Sequence, residues 1–289
     1  MHGRAFVTSI PKCGKNVVRS LLPSLGLSQV STSEMPVAAS HVYARWLRAT
    51  QPRGRHPSVD AIIRETRPAF EHVLGLLGEL PGGRYVQGHF AYDEELHAAV
   101  RAARIPIVLV YRDPRACLAS LAHYLVERGE PADFLPRLRS RDVPSALRLL
   151  LDGDEAVVPF EHFFAPYDGW RRAEGVLALR FEDLIGPRGG GSRTRQFATI
   201  IRLAAHLGWR GAPWQLVSAA KHAFNPRAGT YRRGTIDGWR EDLDGRLRAE
   251  DWPALHELAG RWGYRGDTTP RVAALAGMAH AVAARAVRP

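Results

Sequence analysis

Four short apolar runs set the rhythm of the chain. Residues 4–10, around Ala5-Phe6-Val7, predict a buried strand, and Tyr85-Val86-Gln87 a briefer one. Ile105–Tyr111, IPIVLVY, is the clearest strand, and Val176–Arg180 is the fourth. Helical spacing fills the intervals. Val17, Val18, Leu21, Leu22 and Leu25 share one face until Pro23 bends or ends the helix, and residues 57–80 read as helix in two pieces. A short helix over 93–103 carries Asp93, Glu94 and Glu95 in its first turn, where the dipole favours acids. Leu118, Leu121 and Leu125 line one face after Pro114, and a helix near 194–207 follows a loop at Gly189-Gly190-Gly191. Residues 130–170 read as irregular; 271–287 read as an alanine-rich helix packed on the body. Apolar strands alternating with helices predict a three-layer α/β/α fold, one domain over residues 1–289, with a central parallel sheet and ligands at the strands' carboxyl ends.

At 289 residues the chain is long enough to bury a sizeable core, and its composition is that of a globular protein. No apolar run reaches membrane-span length, and the N-terminus lacks a signal-peptide pattern. Cys13 and Cys117 form no disulfide framework and no metal-ligand spacing, which fits a reducing cytoplasm. The formal charge of +11 invites a nucleic-acid partner, but the basic residues are spread along the chain without a basic block; a positive field also suits small anions. Of 40 basic residues only three are lysine, Lys12, Lys15 and Lys221, and two of those lie in the first loop. Lysine is a mobile point charge able to follow a single oxygen, so its retention there points to a site that needs an ammonium.

That loop, SIPKCGKN (Ser9–Asn16), nearly reads as a Walker phosphate loop. Gly14 and Lys15 are in register, but Ser9 replaces the first glycine and Asn16 the magnesium-binding hydroxyl. Strand, glycine loop and helix still make an anion site, because the helix N-terminal amides face the ligand.

Four segments in order give the loop its context. Ile10–Val17 (IPKCGKNV), Arg112–Ser120 (RDPRACLAS), Arg180–Leu184 (RFEDL) and Arg232-Arg233-Gly234 near Trp239 together resemble the sulfotransferases that use 3′-phosphoadenosine 5′-phosphosulfate (PAPS), of the cytosolic and bacterial type, over roughly residues 5–245. The resemblance implies a P-loop-like sulfotransferase fold and transfer of a sulfuryl group from PAPS to a hydroxyl, with no metal expected. A neutral SO₃ unit needs less charge clamping than a phosphoryl group, so Asn16 is acceptable in place of a metal-binding hydroxyl.

By the same resemblance His89 is the general base and Lys12 the cation on the leaving oxygen. Cys13, Gly14, Lys15, Asn16 and Val17 would hold the 5′ end of the donor, and Arg112, Ser120, Arg232, Arg233 and Gly234 its 3′-phosphate. Phe181 stands at a further family position. Three departures stand out. Val17 replaces a tryptophan that stacks on adenine, Gln87 replaces a cation two residues before the histidine, and Phe181 replaces a tyrosine.

The acceptor is expected to be a small hydroxyl compound. It would be covered by a segment within 130–170, with Phe90, Phe160, His162, Phe163 and Tyr167 as candidate pocket residues, while 267–289 form a helical tail. No nucleic-acid or membrane partner is expected, and the resemblance allows a homodimer. Two rivals remain at this point: an ATP-dependent small-molecule kinase with a variant loop, and a decayed nucleotide- or nucleic-acid-binding protein.

Overall fold

A computed structural model describes residues 3–50, 59–128, 142–153, 159–227, 234–243 and 253–264. In chain order the elements are β1 (Ala5–Ser9), α1 (Lys15–Leu21), β2 (Ser28–Val30), α2 (Glu34–Thr50), α3 (Val59–Gly78), β3 (Arg84–Gly88), α4 (Glu94–Ala102), β4 (Ile107–Tyr111) and α5 (Pro114–Arg128). They continue with α6 (Val143–Asp152), α7 (Glu161–Phe164), α8 (Asp168–Arg172), β5 (Val176–Arg180), α9 (Phe181–Leu184), α10 (Arg193–His206), α11 (Pro213–Ala223), α12 (Gly238–Leu243) and α13 (Pro253–Arg261).

The five strands pair in parallel in the order β2-β3-β1-β4-β5. Alternate strand residues feed two separate cores. Phe6, Val86, Ile107 and Leu109 point into one, with side chains of α2 to α6 and α13. Ala5, Val7, Tyr85, Val108, Val110 and Leu179 point into the other, with α1, α10 and α11. Both faces are therefore covered, which is why these strands read as near-continuous apolar runs. The three layers match the expected fold.

The central strand β1 lies between β3 and β4, and the chain steps to one side of it for β2 and β3 and to the other for β4 and β5. Ligands collect at such a reversal, outside the carboxyl ends of the strands. The loops after β1, β3 and β4 carry Lys12, His89 and Arg112 respectively.

Several local expectations change. Residues 59–78 form one helix with Pro68 inside it, not two pieces. Residues 142–152 and 161–170, expected to be irregular, are largely helical, with Asp142 capping α6 by accepting the Ser145 amide at 2.8 Å. Helices α2 and α11 and the three-residue β2 were not expected. The glycine loop is no free loop: Pro187–Gly189 form a 3-10 turn, and the Gly189 carbonyl accepts the Ile236 amide at 3.0 Å. The expected helical tail and Arg232 and Arg233 lie outside the described residues.

Candidate active site

The first loop is built around two left-handed residues, Lys12 (φ 65°) and Gly14 (φ 100°), which bracket Cys13. Such backbone turns amides toward a common point and forms an anion-binding concavity. Gly14 is needed twice over, for its φ and because a Cβ there would sit 2.6 Å from the Phe181 ring. Cys13 points inward against Cys117, and burial pushes its thiol well up. The Cys117 thiol donates to the Pro11 carbonyl at 3.2 Å, so α5 holds the loop from behind. Lys15 opens α1, and burial together with the Arg19 charge lowers its ammonium pKa. A cation held down by desolvation and a like charge fits an anionic ligand. The Lys12 ammonium lies 3.8 Å from the centre of the Tyr124 ring on α5.

His89 leaves β3 directly opposite the end of β1. Its Nδ1 lies 2.7 Å from the Ser9 carbonyl and 3.2 Å from the Ser9 hydroxyl. A carbonyl only accepts, so Nδ1 carries the proton and the Nε2 lone pair is left to take one. The surrounding backbone is pinned on three sides. Thr8 Oγ1 donates to the Phe90 carbonyl at 2.8 Å, Trp170 Nε1 to the same carbonyl at 3.0 Å, and Tyr167 to the His89 carbonyl at 3.1 Å. Burial first, then the charge of Lys15, lowers the His89 pKa to about 4, against the Ser9 hydrogen bond. The imidazole is therefore neutral near pH 7.

On the other side, Arg112 leaves β4 and lies across the Phe181 ring, its guanidinium carbon 4.3 Å from the ring centre. Its Nη2 donates to the Thr235 carbonyl at 2.8 Å, joining segments 123 residues apart. The buried Arg112 Nε has no partner, an orphan donor of the kind found where a ligand belongs. Glu182 supports the turn by accepting the Asp113 amide at 3.0 Å and the Tyr264 hydroxyl at 2.7 Å. Burial pushes the Glu182 carboxyl up. Asp113 caps α5 through the Arg115 amide at 2.9 Å and forks the Arg115 guanidinium at 3.0 and 2.7 Å.

The model of the sulfotransferase domain matches residues 2–188, well over half the chain and all three loops. The chain belongs to the sulfotransferase family. Among solved structures, this sulfotransferase is similar to mouse sulfotransferase SULT7A1 complexed with PAP, with TM-score 0.55 and 15% identity, covering 89% of this chain and 82% of that one. It is also similar to retinol dehydratase in complex with androsterone and the inactive cofactor PAP, with TM-score 0.50 and 15% identity over 90% and 79% of the two chains. At that identity the likeness shows the fold. No curated protein sequence matches the chain.

The sulfotransferase's predicted site residues divide into two groups. Lys12, Gly14, Lys15, His89, Arg112 and Phe181 belong to the three loops and their immediate supports. Asn16 stands in the first turn of α1, and Ser120 is a partly exposed position on α5. Gly234 has φ 60° and precedes Thr235. Several side chains fall elsewhere. Val17 is buried in the second core and Cys13 in the first, so only their backbones face the loop. Phe90 is sealed in the first core with its ring packed on Phe6, and Phe160 is buried there against Phe163 and Phe164 while its edge lines a cleft with Pro159, Leu255 and Leu258. Tyr167 is also buried and serves as scaffold through its hydrogen bond to His89. His162 is exposed at 51% of its side chain, beside Glu161, and Phe163 is partly buried against Phe160.

Gln87 donates to the Lys15 carbonyl at 3.0 Å, so this position brings a neutral amide and not a charge to the first loop. The supporting roles of Ser9, Thr8, Tyr124, Trp170, Glu182 and Thr235 were missed. Thr8 and Ser9 left a signal as polar residues closing an apolar strand, and Glu182 one as part of the RFEDL segment. Among the described residues no cluster of His, Cys, Asp and Glu could hold a metal.

Proposed function

We propose that this sulfotransferase moves a sulfuryl group from PAPS to a hydroxyl of a small-molecule acceptor by in-line transfer. The observation that carries the proposal is the Ser9–His89 contact, which commits Nδ1 as donor and frees Nε2 as base beside a loop holding two lysines. In the reaction the acceptor oxygen bonds to sulfur as its proton passes to His89 Nε2. The bond from sulfur to the bridging phosphate oxygen breaks, its electron pair stays on that oxygen, and Lys12 neutralises the charge.

The residues present fit the donor. The turn at Lys12–Gly14, Lys15 and Asn16 would take the phosphosulfate, and Arg112, Ser120 and the backbone near Gly234, with Arg232 and Arg233, would take the 3′-phosphate. PAP in the complexes of both structural neighbours supports this choice, and androsterone in one of them supports a small hydroxyl acceptor. Adenine would need a surface other than Val17.

The test is transfer of labelled sulfate from PAPS to a panel of small alcohols and phenols, by the parent and by His89→Ala. Label in an acceptor with the parent only is expected. Label in no acceptor, or equal transfer by both proteins, would overturn the assignment.

A further inference from the structure

The basic residues are spread along this chain, but the carboxylates are not. No Asp or Glu occurs from Met1 to Ser33 or from Leu184 to Ile236, and the second stretch holds nine of the 40 Lys and Arg residues. The fold collects the described helical elements of these stretches into one layer: α1, the 3-10 turn Leu22–Leu25, α10 and α11 pack together over the second core. None of these four elements contains an acid. In sequence the two stretches are bounded by Glu34, Asp183 and Asp237, and Glu182, next to Asp183, is engaged by Asp113 and Tyr264.

The same layer shows apolar side chains to solvent. Among the described residues five large hydrophobics are exposed, and three of them are here: Trp214 at 68%, Val217 at 43% and Ile201 at 37%. Trp214, Val217 and Lys221 follow i, i+3, i+7 spacing and form one stripe of α11, while Ile201 and Arg202 are exposed on α10 and Arg210 in the connection between the helices.

We propose that the α10–α11 face is a peripheral docking surface for anionic lipid bilayers. Charge complementarity selects the partner. An acid-free layer with exposed cations is attracted to an anionic leaflet, and an indole beside aliphatic side chains partitions at the headgroup boundary. A nucleic acid would satisfy the cations but offers no apolar phase to Val217 and Ile201, and Trp214 is the one exposed large aromatic on the face. No described helix is long and apolar enough to cross a membrane, so the contact is one of surface attachment. This departs from the expectation of no membrane partner and is independent of the transfer chemistry.

Co-sedimentation with vesicles of phosphatidylcholine, alone or mixed with phosphatidylglycerol, tests the proposal. Binding only to the mixed vesicles, and its loss at high salt, is expected. The triple variant R202E/R210E/K221E should lower partitioning by at least about a hundredfold, since each cation near an anionic leaflet contributes roughly a factor of five. Trp214→Ser should weaken binding while PAP affinity, the control for folding, stays at the parent value. No binding to the mixed vesicles, equal binding to neutral ones, or indifference to the triple variant would overturn the proposal. So would charge-sensitive binding of polyuridylate in the absence of vesicle binding, which would make the face a nucleic-acid surface.

Discussion

His89 donates its Nδ1 proton to the Ser9 carbonyl at 2.7 Å, so the end of the central strand fixes the tautomer of the residue facing it from the neighbouring strand. The lone pair on Nε2 follows from that contact. Replacing His89 by Ala is expected to lower kcat by about 10² to 10⁴-fold, the usual contribution of a general base. PAP affinity should stay within about twofold of the parent, because a base, unlike a phosphate ligand, is not needed to hold the donor. Steady-state kinetics beside a PAP titration separate the two effects; a matched loss of both would make His89 a binding residue.

The low pKa of this imidazole should appear in the pH profile. In the free enzyme His89 titrates at about 4, so the acid limb of kcat/KM is expected there and not near 6.5. Donor bound as proposed would place anions against Lys12 and Lys15, the two cations that help keep the imidazole neutral. Its pKa in the complex should therefore rise, and the acid limb of kcat should lie at higher pH than that of kcat/KM. Coincident limbs would mean that the donor does not reach this group.

The same shift predicts a stability effect. The folded-state pKa lies below the unfolded value, so the unfolded chain binds more protons between about pH 6.5 and 4. Stability is thus retained above that window and lost as pH falls through it, by up to about 3 kcal/mol from this residue. Urea unfolding of the parent and of His89→Gln across the window should show a shallower fall for the variant.

Arg112 joins β4 to the segment after Gly234 through Thr235. Arg112→Ala is expected to weaken PAP binding by about 10- to 100-fold, the range for a lost hydrogen bond to a charged group. Arg112→Lys should recover little, since a point charge cannot both hold the Thr235 carbonyl and lie flat on Phe181. Calorimetric titration of both variants checks this.

Gly14→Ala places a methyl group 2.6 Å from the Phe181 ring at a φ of 100°. Left-handed strain and overpacking together should cost about 2 to 4 kcal/mol. A denaturation midpoint equal to the parent's would show that the loop does not rest on Phe181.

The sheet was legible because β1 and β4 are buried on both faces and begin as apolar runs, and because β3 and β5, though shorter on apolar residues or half-buried, keep Tyr85-Val86 and Val176–Leu179 as apolar cores. Helix α2 was not, because its buried face includes His41 and small alanines alongside Met35 and Val42. His41 stacks on Phe70 at 4.7 Å, so a polar letter occupies a core position. Strand β2 is too short to show a period. In the site, the loops after the strands could be read from glycine, lysine and arginine at strand ends. The Thr235 partner of Arg112 could not, since a backbone carbonyl leaves no mark in a sequence. Nor could the burial of Phe90 and Phe160: an aromatic near a catalytic segment looks the same whether it lines a pocket or fills a core.

The most direct test of the account is calorimetric titration of the protein with PAP in the presence of a chelator, beside ATP with Mg²⁺. The account predicts saturable, metal-independent PAP binding that Arg112→Ala weakens and His89→Ala leaves intact. Binding of Mg-ATP alone, or no heat with either nucleotide, would contradict it.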